Sequence, residues 1–134
     1  MEQTAYGFGA KVSLPFEQAI ERTKEVLKAE GFGVLTEIDV RKTMKEKLDV
    51  EFQPYVILGA CNPPLAHKAL TAELDIGLLL PCNVVVHQEG AGSRVMAMDP
   101  EAALGIVQNP VLHEVAVEAK ARLRRALEAL ESSK

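Results

Sequence analysis

The sequence has no tryptophan, four phenylalanines, two tyrosines and two cysteines. Two cysteines cannot make the disulfide framework of a small secreted domain. A chain of 134 residues needs no such staple, since a core of this size buries roughly two-thirds of the unfolded surface. No apolar run approaches the ~20 residues that span a bilayer. The start, Met1-Glu2-Gln3-Thr4, lacks the basic region and apolar stretch of a secretory signal. The expected setting is therefore cytoplasmic, with both thiols reduced. Basic charge is also short: 15 Lys and Arg stand against 19 Asp and Glu, for a net charge of -4. That balance argues against broad electrostatic capture of nucleic acid or of an anionic membrane. Arg41, Lys42, Lys45 and Lys47 do cluster, but no aromatic side chain is interleaved to stack on bases, so they read as a solvated helix face.

Familiar catalytic patterns are missing as well. Gly7-Phe8-Gly9 has no third glycine and lies in a strand pattern, so it is no dinucleotide fingerprint. There is no G-x-S-x-G elbow, no C-x-x-C pair and no paired carboxylate constellation.

The segments that are present alternate in type. Tyr6 to Val12 has the period of two of a half-buried strand. Phe16, Ala19, Ile20, Thr23 and Leu27 then fall at helical spacing between Pro15 and a C-terminal Gly31. Phe32 to Ile38 reads as a strand, and Asp39 caps a short helix carrying Val40, Met44 and Leu48. Tyr55 to Ala60 is an unbroken apolar run, as in an interior strand, and runs into Cys61-Asn62-Pro63-Pro64 and a helix over Leu65 to Glu73. Asn83 to Gln88 and Arg94 to Met98 flank a glycine-containing hairpin connection. Asp99-Pro100 and Asn109-Pro110 each open a helix, the second with a stripe of Leu112, Ala116, Ala119, Leu123, Ala126, Leu127 and Leu130. The expectation is one α+β domain with a compact core over about 5–131: a mixed sheet of about four or five strands, helices chiefly on one face, and a long C-terminal helix. That last stripe would pack across the sheet or against a partner subunit.

Chemistry points to the two thiols. Cys61 ends a strand just before a helix N-terminus, where free N–H groups favour an anion, and Cys82 begins a strand after Pro81. Cys61, Asn62, Pro63 and Cys82 are the expected borders of a ligand pocket, with the backbone N–H groups beyond Asn62 holding a small anionic or polar group. Two alternatives stand beside it. One is a redox or sulfur-handling protein with Cys61 as nucleophile and Cys82 resolving it. The other is a structural homo-oligomer joined through the C-terminal stripe. No cofactor and no metal are called for; Cys61, Cys82 and His67 are the residues that would have to hold one.

Glu30-Gly31-Phe32-Gly33-Val34-Leu35, Val56-Ile57-Leu58-Gly59-Ala60-Cys61-Asn62-Pro63, Leu80-Pro81-Cys82 with Val84-Val85-Val86, and Asn109-Pro110 together resemble the bacterial and archaeal domain of unknown function 302 family. The resemblance runs from Tyr6 to Leu130. It implies a compact α+β domain that self-associates, so a homodimer is expected, and it carries no reaction, substrate or catalytic residue.

Overall fold

The computed structural model describes residues 1–132. Six strands form one sheet in the order β1-β2-β6-β5-β4-β3: β1 Glu2–Gln3, β2 Gly7–Val12, β3 Gly33–Asp39, β4 Tyr55–Cys61, β5 Cys82–Glu89 and β6 Gly92–Met98. The helices are α1 Phe16–Ala29, α2 Val40–Leu48, α3 Pro63–Ala72, α4 Pro100–Leu104 and α5 Pro110–Glu131, with a 3₁₀ segment over Leu74–Leu79. The α+β class and the long C-terminal helix are as expected. The sheet is not mixed, because every neighbouring pair is antiparallel. Strand–helix–strand order does give β2 and β3 the same direction, but β6, β5 and β4 lie between them, so no parallel pair forms.

Alternation decides which face is buried. Phe8 and Ala10 of β2, Val95 and Ala97 of β6, Val84 and Val86 of β5, and Val56 and Leu58 of β4 face the helices and are buried. α1 and α5 lie on this face. Ala19, Ile20, Thr23, Val26 and Leu27 of α1 are buried there, and the Thr23 hydroxyl donates to the Ala19 carbonyl at 2.6 Å, so no polar atom is stranded. α1 ends at Gly31, whose φ of +85° costs glycine little. The Phe32 N–H then returns to the Leu27 carbonyl at 2.9 Å.

The α5 stripe is internal. Leu112, Leu123, Leu127 and Leu130 are fully buried within the chain. Each such side chain is worth about 1.5–3 kcal/mol of burial as an upper figure. Of the two placements expected for this stripe, packing within the chain is the one found, since the chain's own sheet and helices cover it.

Helix starts follow their caps. Asn62, Asp99 and Asn109 each accept a backbone N–H of the first turn, and each is followed by proline. Asp99 also meets the Lys120 ammonium at 3.0 Å, which fixes α4 against α5. The hairpin between β5 and β6 turns on just Gly90 and Ala91, tighter than the five-residue connection read from the sequence. Gly90 supplies the positive φ of +61° that such a turn needs.

Candidate functional site

The core has two parts. The larger lies between the sheet and α1/α5; the smaller gathers Ala69, Ile76, Leu104, Leu112, Val115 and Ala116 beneath α3, α4 and the 3₁₀ segment. Leu65 packs against both. At their seam, small side chains replace large ones: Ala60 on β4, Ala66 and Ala69 on α3, and Ala119 on α5. A cavity of about 310 Å³ results. Phe32, Leu80, Leu104 and Val115 complete its interior, while Leu35 and Leu70, both exposed, stand at its edge. Its wall is almost wholly hydrocarbon.

The sequence-predicted residues divide around this cavity. Cys61, Asn62 and Cys82 line it. Pro63 does not; it is exposed and borders a separate shallow groove with Lys24, Lys28 and Gly31. His67 is exposed on α3, and no group of three His, Cys, Asp or Glu side chains able to hold a metal occurs among the described residues.

Helix α3 was expected to offer backbone donors to an anion, and its first turn has none free. Pro63 and Pro64 carry no N–H. The Leu65 N–H donates to the Asn62 side-chain oxygen at 3.3 Å, and the Ala66 N–H to the Asn62 carbonyl at 2.9 Å. The anion-binding role of that turn is thus corrected: two prolines and a cap consume every donor.

Asn62 itself keeps a donor. It is 5% exposed, and with Oδ1 committed to the cap its Nδ2 makes no hydrogen bond to any described residue. That amide sits against Gly31, where a Cβ would come within 2.9 Å of Nδ2. Gly31 therefore serves twice, as helix exit and as room for the amide.

The two thiols differ. Cys82 lies opposite Ala60 in the β4–β5 ladder and shares its buried face. Burial, with a smaller contribution from nearby Cys61, pushes the Cys82 thiol up to about 11. Cys61, one residue beyond Ala60, follows the opposite sense of the pleat and is half-exposed. Both are free thiols.

Fold and cavity define the class: a small α+β domain carrying an apolar, thiol-bordered cavity at the end of its sheet. Within that class the chain belongs to the family described as "Domain of unknown function DUF302", whose model matches residues 8–130. It is similar to the crystal structure of an uncharacterized conserved protein DUF302 from Bacillus stearothermophilus, with 36% identity, a TM-score of 0.85, and coverage of 93% of this chain and 98% of that one. No curated protein matches the chain. Among the described residues no helix is long and apolar enough to cross a membrane.

Proposed function

We propose that this protein is a binding protein for a small, largely aliphatic molecule, held in the cavity between the two parts of the core. The observation that carries the reading is the cavity itself: about 310 Å³ of space whose wall is almost wholly hydrocarbon. A dry cavity of about 150 Å³ accommodates one benzene, so this volume suits a ligand of about a dozen carbon atoms. Phe32 is the single aromatic side chain of the wall, which favours a flexible chain over a stacked planar ring. The polar end of the ligand is a neutral acceptor, a carbonyl or amide oxygen, because the first-turn N–H groups of α3 are spent and Asn62, a lining residue, keeps an unpartnered amide N–H that is not itself buried.

Calorimetric titration with decanamide tests this. The expected result is one saturable site, with affinity reduced about fivefold in Asn62→Ser, a change that keeps a helix-capping oxygen but removes the amide donor. Absence of saturable binding overturns the reading, and equal affinity in Asn62→Ser removes Asn62 from it.

A further inference from the structure

We propose that the sheet face opposite α1 and α5 is the contact between two copies of this chain, packed face to face about a two-fold axis. The proposal is independent of what the cavity holds. Its first support is the pattern of the strands. An antiparallel sheet with one face in water alternates apolar and polar residues. Here β2, β6, β5 and β4 are buried on the helix side, and the opposite side is apolar as well. Ile38, Ile57, Val85, Met96 and Gly9 are successive cross-strand partners on β3, β4, β5, β6 and β2, and form one row on that side. α2, which touches β3 and β4, has no buried residue. Ile38 is left 48% exposed, and Ile57, Val85 and Met96 are only half-buried, although their strands lie inside the sheet.

Charge favours a second copy over a different partner. The adjoining row on this face is Tyr55, His87, Arg94 and Lys11, again successive partners. Arg94 pairs with Glu2, and Lys11 with Glu89 at 3.0 Å, so the cations of the face are neutralised within the chain. The face therefore adds nothing to the repulsion between two chains of net charge -4, and it offers no field of one sign to draw in a charged partner. Relief agrees. A two-fold axis running along the strands between β5 and β6 sets Val85 over the partner's Met96 and Ile57 over the partner's Gly9. Gly9 presents no side chain, and the Met96 thioether lying across it is flexible enough to repack. The raised half of each face thus meets the flat half of the other. Five strands about 4.8 Å apart and about six residues long span roughly 24 by 20 Å, so two copies bury roughly 1,000 Å², enough for a specific contact.

Sedimentation velocity on the full chain tests the proposal. The expected species has twice the chain mass of 14.6 kDa, with a Kd of about 1 μM. Val85→Glu puts a charge at the centre of the contact from both copies and should weaken association at least about a hundredfold, with a native circular dichroism spectrum. Val85→Thr, nearly the same shape, should weaken it about tenfold and serves if the glutamate variant does not fold. Leu78→Glu, at an 87% exposed site on the 3₁₀ segment, should leave association unchanged. A chain that stays monomeric at about 100 μM overturns the proposal. So does a dimer undiminished in folded Val85→Glu or in Val85→Thr, or one lost in Leu78→Glu.

Discussion

Filling the cavity should stabilise the protein, and the sign of that effect is the most direct test of the site. Ala69 on α3 is fully buried and belongs to the cavity wall. Ala69→Leu adds three carbon atoms where the structure has about 310 Å³ of unfilled space. At about 0.8 kcal/mol per buried methylene the ceiling is about 2.4 kcal/mol. Fixing the new rotamer costs about 0.5–1 kcal/mol, and alanine and leucine differ little in helix propensity. The net expectation is a gain of about 1.5 kcal/mol, or about 5 °C in Tm for a chain of this size. Urea and thermal unfolding followed by far-ultraviolet circular dichroism measure it, and decanamide binding should weaken in the same variant. If α3 instead lies collapsed onto α5 in solution, the extra atoms overpack the seam and stability falls by about 1–3 kcal/mol. A destabilised A69L that still folds would refute the cavity and every ligand reading built on it.

Other perturbations separate packing from chemistry. Leu123→Glu puts a charge on a fully buried α5 position and should cost more than about 4 kcal/mol, leaving an unfolded or molten chain by circular dichroism. Leu78→Glu, at an 87% exposed site on the 3₁₀ segment, should change stability by no more than about 0.5 kcal/mol in the same assay. Asn62→Ala removes the α3 cap and should lower stability by about 1 kcal/mol, with Asn62→Ser recovering most of it in urea titrations. Cys82 gives a pH signature. Its folded-state value of about 11 lies above the reference 9.0, so burial of the neutral thiol favours the native state below pH 9 and that advantage is lost as pH climbs from 9 through 11. The loss amounts to about 2–3 kcal/mol. It should appear as the difference between wild-type and Cys82→Ala stability curves, and parallel curves would exclude it.

Much of the fold can be read in the sequence because its signals are local. The Pro15 and Gly31 boundaries, the caps at Asn62, Asp99 and Asn109, and the α5 stripe each act within a few residues of where they appear, and all are found in place. Strand direction is not local. The order of strands and helices implied a parallel component, and only the insertion of β6, β5 and β4 between β2 and β3 removes it. β1, at two residues, is too short to carry any periodicity. The thiols and Asn62 lie together at one end of the sheet, and the cavity they border is made by residues far apart in sequence. Its signal was present as alanine at positions 60, 66, 69 and 119, which becomes meaningful only once the fold shows that these alanines meet.

The same local chemistry that marked the site also decides what it can bind. Asn62-Pro63-Pro64 is a strong helix start because the asparagine caps and proline is pre-shaped for the first turn. That strength removes the donors an anion would need, since two residues have no N–H and the next two are bonded to Asn62. A helix N-terminus pointing at a pocket implies phosphate or carboxylate only while its first N–H groups are free. Here they are not, and the adjoining wall is hydrocarbon, so a charged ligand would lose hydration without recovering hydrogen bonds. An aliphatic chain loses nothing comparable on entry. It gains from leaving water, and the unpartnered Asn62 amide can meet one neutral oxygen at its end.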